Sequence, residues 1–291
     1  MNIKLGIIGG SGIYEFEELE SKVWIPRKKG PFGYPSDDML HGKIKNVEIF
    51  FLPRHGRDHS ISPTNIPFKA NIDAFKRVGC TDLLSVSAVG SLKNHLEPGT
   101  FIIVDQFIDR TIAREKSFFD RNIVAHVSMA KPICNETAKL VKNAANKAEI
   151  GLILGGTYLA IEGPQFSTLA ESILYREWNC DVIGMTNMPE AKLAREAEMR
   201  YVSVAMVTDY DCWHQNESDV EVTDIIKVLS KNSNNAKKLI QYFINELSEN
   251  RNNNVIDGID NVLDSAIITK NFTKEDLIKN GLDAVAKRLI D

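Results

Sequence analysis

The sequence predicts a single α/β domain, and three observations carry that expectation. Short apolar runs rich in β-branched residues recur through the first 210 residues, punctuated by Gly, Pro and Asp, as buried strands are. Helical patterns separate several of them, and strands alternating with helices argue for a mostly parallel sheet. After Trp213 the pattern turns to long amphipathic helix, which reads as a helical extension of the same unit because no linker composition marks a boundary.

The elements follow in order. Strands are expected at Leu5 to Ile8, Val47 to Leu52, Asp82 to Ala88, Phe101 to Val104, Val182 to Met185 and Tyr201 to Thr208. Asn71 to Val78 places Ile72, Phe75 and Val78 at helix spacing, and Pro189 to Ala197 opens with proline at a first turn followed by strong helix formers. Residues 219 to 250 carry Val222, Ile225, Ile226, Leu229, Ala236, Leu239, Ile240 and Phe243 on one face. The polar run Glu249 to Asn254 reads as a loop, and a last helix is expected from Lys274 to Ile290.

Composition narrows the function. The 291 residues are 43% hydrophobic and 25% charged, with 35 Lys and Arg against 39 Asp and Glu, so no basic field exists to hold a nucleic acid. Cys80, Cys134, Cys180 and Cys212 are scattered, with no C-x-x-C pair to suggest zinc, and read as reduced thiols. Neither a signal-peptide core nor an apolar stretch of about 20 residues is present, so a cytoplasmic protein without membrane contact is expected.

Six clusters can carry chemistry. Gly9-Gly10-Ser11-Gly12 follows a strand and can fold N–H groups around an anion, although it lacks the Walker ending; alone it also reads as a glycine turn. Pro53 to His59 sets Arg54, His55, Arg57 and His59 after another strand, a donor set for an oxyanion rather than a metal site, since no carboxylate completes a zinc pattern. Ser85 to Ser91 closes a strand with small residues and hydroxyls. Ile161 to Thr168 offers Phe166 for stacking and Ser167 as a hydroxyl, and Gly184 to Asn187 offers Met185 and Thr186; read singly, the aromatic and the thioether fit a core equally well. Thr208 to Trp213 carries Asp209 and Asp211, paired acids that burial would push toward the pKa range of a general acid.

In this order the clusters resemble the methylthioadenosine phosphorylase family, within the trimeric purine nucleoside phosphorylases. GIIGGSGIY, PFGYPSD, PRHGRDH, DQFIDRT, IEGPQFS, MTNMPEA and TDYDCW all look like that family's blocks, in register from about Ile3 to about Glu246. The resemblance implies a single domain with a central twisted mixed β-sheet flanked by helices, spanning 1–250 with 251–291 as its helical C-terminal extension. It also implies a homotrimer with shared sites, and phosphorolysis of methylthioadenosine to adenine and 5-methylthioribose 1-phosphate without metal or organic cofactor.

The resemblance assigns phosphate contacts to Ser11, Arg54, His55, Ser87, Ala88 and Thr186. Phe166, Ser167 and Met185 fall to the base and ribose, and Asp209 and Asp211 to the purine edge. Val222, Ile225 and Ile226 fall to the methylthio pocket, with His126 reaching it from a neighbouring subunit. Ser11 and Ser87 stand where many relatives have Thr, which keeps the hydroxyl. By this reading Asp209, Asp211 and His55 carry the catalysis. A 6-oxopurine or methylthioinosine phosphorylase is the nearest alternative, and a nucleoside-binding module without turnover is a further one. Two carboxylates suit a 6-amino group better than a carbonyl.

Overall fold

The structure is a computed structural model and describes residues 3–10, 13, 19–214 and 222–291, with side chains in the long C-terminal helix described from Val228 onward. Among the described residues the strands are β1 (Ile3–Gly9), β2 (Glu20–Ile25), β3 (Met39–Ile44), β4 (Val47–Pro53), β5 (Asp82–Ser91), β6 (Phe101–Val104), β7 (Gln106–Asp109), β8 (Asp120–Arg121), β9 (Ile123–Val124), β10 (Leu152–Leu154), β11 (Thr157–Ala160), β12 (Val182–Gly184) and β13 (Arg200–Asp209). The helices are α1 (Phe68–Arg77), α2 (Asn135–Lys147), α3 (Leu169–Glu177), α4 (Asn187–Glu196), α5 (Val222–Asn250) and three short C-terminal ones, α6 (Leu263–Ala266), α7 (Lys274–Lys279) and α8 (Lys287–Ile290).

Eleven strands form one sheet whose main path runs β10-β6-β13-β5-β1-β4-β3-β2, with β12 joining β5 and leading through β11 to β7. The centre, β13-β5-β1-β4, is parallel, while β6 against β13, β12 against β5 and the β2-β3-β4 edge are antiparallel. The sheet is therefore mixed, and the parallel centre is the part its apolar runs predicted. β13 is buried from Arg200 to Thr208, as a strand covered on both faces must be. α2 packs along α5 and the pair lies on β13, while α1 packs on α4, which lies on β13 and β5. Gly6 in β1 is dictated by α1, since a Cβ there would sit 2.8 Å from the Phe75 ring.

The parallel register brings Gly9 of β1 beside Pro53 of β4 and Ile8 beside Ser85 of β5, and β5 continues beside β13 to Gly90 and Asp209. Four strands thus end together, and open α/β sheets bind ligands outside such carboxyl ends.

The chain after α5 returns to the same core. Val262, Leu263, Ala266, Leu277, Leu282 and Val285 are buried in it. Arg200 at the start of β13 binds Asp260 and the carbonyls of Asn252 and Asn254, and Arg288 binds Glu198 and Asp264. The single helix expected over 274–290 is instead two. Gly281, at φ +74°, bends the chain where a Cβ would lie 2.4 Å from Pro31 Cβ, and helix periodicity does not register that contact. Gly281→Ala meets both the left-handed strain and this contact, so urea unfolding should show a loss of about 1–3 kcal/mol; an unchanged midpoint would rule out the close approach.

Candidate active site

At the ends of β1 and β4 and against β5 the chain is built around one buried cation. Arg54 is 1% exposed. Its Nε donates to Glu190 Oε2 (2.8 Å), Nη2 to Ser85 Oγ (2.7 Å), Glu190 Oε1 (3.2 Å) and Ile8 O (3.3 Å), and Nη1 to Val86 O (3.2 Å). Glu190 keeps the guanidinium charged despite its burial. The sequence suggested an open donor fork at Arg54; the structure shows most of its hydrogens committed inside the protein, so its positive field lies beneath the strand ends.

His55 follows at the surface of this layer. Burial lowers its pKa to about 4, and the nearby Arg54 charge acts the same way against the opposing bond to Ile61 O. Nδ1 lies 2.8 Å from that carbonyl, which assigns the proton to Nδ1 and leaves Nε2 a lone pair. A neutral imidazole of this kind accepts a hydrogen bond from a protonated phosphate oxygen. Ser87 Oγ donates to Asn187 Oδ1 (3.1 Å), and Asn187 is held by Tyr201 and Ser203, each at 2.6 Å. Thr186 Oγ1 is buried with no partner, Ala88 beside it in the β5 edge is exposed, and Ser11 lies outside the described residues.

The opposite end is acidic. Asp209 Oδ1 accepts from the Asp211 N–H (2.8 Å) and Oδ2 from Thr208 Oγ1 (2.7 Å). Asp211, held in the left-handed region at φ +54°, is buried, and its Oδ2 has no hydrogen-bond partner. Burial pushes its carboxyl up to about 6; the nearby Ser172 hydroxyl lowers it in part, and the Asp209 charge raises it further. Of the two acids, Asp211 is therefore the one whose charge burial disfavours. Gly90 leaves them room, because a Cβ there would fall 2.9 Å from Asp209 Oδ1.

Between the two ends lies a wall set by a carboxylate that the sequence did not single out as functional. Glu162 accepts from the N–H groups of Ile112 and Ala113, from Thr64 Oγ1 (2.8 Å) and from Arg114 Nε (3.2 Å). Burial alone would raise its pKa, but these donors take it down to about 2. Arg114 in turn donates to Met185 O and Met188 O, both at 2.6 Å. Met185 packs where a Gly163 Cβ would meet its Sδ at 2.4 Å. Ser167 Oγ is buried without a partner, its carbonyl accepts from the Cys212 thiol, and Phe166 stands 48% exposed above.

Known proteins share this arrangement of chain. The model of the phosphorylase superfamily matches residues 4–245. The chain belongs to that superfamily. It is 51% identical to the S-methyl-5′-thioadenosine phosphorylase of Cereibacter sphaeroides over 100% of this chain and 99% of that one. The same identity holds to the Rhodospirillum rubrum S-methyl-5′-thioadenosine phosphorylase, 51% over 98% and 97%. Among solved structures, a methylthioadenosine phosphorylase from an antarctic soil metagenomic library superposes with TM-score 0.89 at 42% identity, covering 98% of this chain and 99% of that one. The Schistosoma mansoni methylthioadenosine phosphorylase in complex with adenine gives 0.79 at 35%, covering 84% and 91%.

In this phosphorylase fold, His55, Ser87, Ala88, Thr186, Asp209 and Asp211 lie on the adjoining strand ends and the turns that follow them, with Arg54 beneath. Val222, Ile225 and Ile226 occupy the first turns of α5, where only the backbone is described. His126 lies apart, exposed after β9, with its N–H on Ala266 O (2.8 Å).

Asp211 gives the site a pH signature. Folded, it titrates near 6; unfolded, near about 3.9. The fold therefore loses stability as pH rises through that window. Asp211→Asn should be more stable than wild type at pH 8 by about 1–3 kcal/mol, gain about half as much at pH 5 and gain little below about pH 4. Equal gains across this pH range in thermal unfolding would show that the carboxyl is not raised.

Proposed function

We propose that this protein catalyses phosphorolysis of S-methyl-5′-thioadenosine. Phosphate oxygen bonds to C1′, the bond from C1′ to N9 breaks, and adenine and 5-methylthioribose 1-phosphate leave. The observation that carries the reading is a neutral imidazole with buried hydroxyls over the Arg54 charge, and a pair of carboxyls, one raised by burial, along one row of strand termini. Ser11, His55, Ser87, Ala88 and Thr186 hold the phosphate over the Arg54 charge, and the anion stabilises the positive ribose that forms as the base departs. His55, neutral, accepts the phosphate hydroxyl proton in a hydrogen bond. Asp209 hydrogen-bonds N7 as the departing base is protonated there, and Asp211 accepts from the 6-amino group. Met185 supports the ribose, Phe166 and Ser167 the base. Phosphate is a co-substrate, and the reading calls on no metal or organic cofactor.

The methylthio group falls in this reading to Val222, Ile225 and Ile226, joined by His126 of a second copy in a homotrimer. Supporting assembly, α3 and its approach expose Phe166, Leu169, Ile173, Leu174 and Trp178, between 41% and 56% exposed each, a contiguous apolar face of the kind that protein partners cover. Among the described residues no helix is long and apolar enough to cross a membrane, and we place the enzyme in the cytoplasm.

A panel of methylthioadenosine, adenosine, inosine and methylthioinosine with and without phosphate tests the chemistry. Turnover should require phosphate, methylthioadenosine should exceed adenosine by about 10-fold to 200-fold in kcat/KM, and Asp209→Asn should cost about 100-fold or more on methylthioadenosine. Preference for inosine would overturn the reading of the acid pair. Sedimentation should give a trimer that Ile173→Asp dissociates, with loss of activity; an active monomer would contradict the shared pocket.

A further inference from the structure

A second cavity, of about 520 Å³, opens between α1 and the segment joining β2 to β3, closed on one side by the C-terminal region, and it shares no residue with the site at the strand ends. Its walls are apolar, with Pro31, Pro35, Met39, Ala74, Val78 and Ile278 among them. Such a volume lies within the range of small-molecule sites.

Two features make it more than an apolar hollow. Asp73 lines it with a side chain 3% exposed. Oδ2 accepts from Arg77 Nε (2.7 Å), but Oδ1 is buried with no hydrogen-bond partner. Arg77 cannot swing to serve it, because its two outer nitrogens are each 2.7 Å from an Asp283 oxygen. Burial raises the Asp73 carboxyl above its ordinary range against the pull of Arg77. The second feature is the rim. Arg27, Lys28 and Lys29 line the cavity and are exposed. Among the described residues none of the three is in an ion pair with a carboxylate.

A buried acceptor inside asks for an N–H donor on an apolar body, and three cations at the rim ask for an anion. An aliphatic ammonium would satisfy the acceptor but be repelled by the rim; a neutral aromatic amine satisfies it without that cost. We propose that this cavity binds an anionic, amino-substituted heteroaromatic ligand of the adenine nucleotide class. Its amino group donates to Asp73 Oδ1, its ring lies among the prolines and Ala74, and its phosphate meets Lys28 and Lys29.

The cavity wall is also mechanically joined to the loop that carries His55. Asp37 lines the cavity and accepts from the Arg57 N–H (2.6 Å), and the neighbouring Ser36 Oγ donates to Pro53 O (2.7 Å). Occupancy therefore bears on the segment from Pro53 to Arg57, and the apparent constant for phosphate changes more than that for nucleoside. This second step rests on the phosphorolytic reading of the strand-end site, whereas binding itself does not.

Calorimetric titration of the full-length protein with adenosine 5′-monophosphate, at low salt and with saturating adenine and phosphate present to occupy the strand-end site, tests the proposal. Wild type should bind. Lys28→Glu combined with Lys29→Glu should weaken binding by about tenfold or more, and Ala74→Leu, which fills the ring slot, should abolish it. Nucleotide-free turnover of the charge variant should stay within about twofold of wild type, since surface charges far from a site contribute little to it. Absence of binding to wild type, or binding that both variants leave unchanged, overturns the cavity assignment. Binding that behaves as expected but leaves the phosphate constant unaltered overturns the coupling alone.

Discussion

The buried pair of Arg54 and Glu190 is the interaction on which the rest of this structure turns. Both side chains are 1% exposed, and through them β4 is tied to α4, to the last carbonyls of β1 and to Ser85 and Val86 of β5. Tyr201 of β13 joins by donating to Glu190 Oε1 (3.0 Å). An ion pair so deep is weak evidence for stability, because desolvation consumes much of its attraction. Its effect is positional: four strands from distant parts of the chain and α4 are tied together through a single pair of side chains.

From that fixed floor the two ends of the site diverge electrostatically. At one end a neutral imidazole and the hydroxyls of Ser87 and Thr186 lie over a buried positive charge. At the other, a carboxyl pushed up to about 6 sits beside one whose oxygens are already engaged. Environments that drive titratable groups apart in this way mark acid and base roles. The polar network of Glu162 with Arg114 fixes the backbone carbonyls of Met185 and Met188, so this wall is set by charged groups rather than by apolar packing.

Much of this was legible in the sequence. Apolar runs gave the central strands because a parallel sheet is buried on both faces, and the Gly-, Arg- and Asp-rich clusters directly after those runs located the strand-end site. The edge strand β2 escaped notice because its exposed residues interrupt the apolar pattern, β3 because His41, Gly42 and Lys43 break its apolar run, and α3 because most of its apolar residues face outward rather than into a core. Arg114 and Glu162 were missed as functional groups for a different reason. Their importance lies in backbone carbonyls and amides contributed by other segments, and those partners leave no periodic trace in a single chain. Arg54 was found, but its depth was not, since nothing local to PRHGR reveals that Glu190 lies beneath it.

The left-handed backbone at Asp211 has a bearing on how such a site can diversify. Gly, Asn and Asp adopt that conformation most easily, so position 211 can vary in its hydrogen-bonding character more readily than in its bulk. Exchange of carboxylate for amide there would change the hydrogen bonds on offer without rebuilding the turn that follows β13.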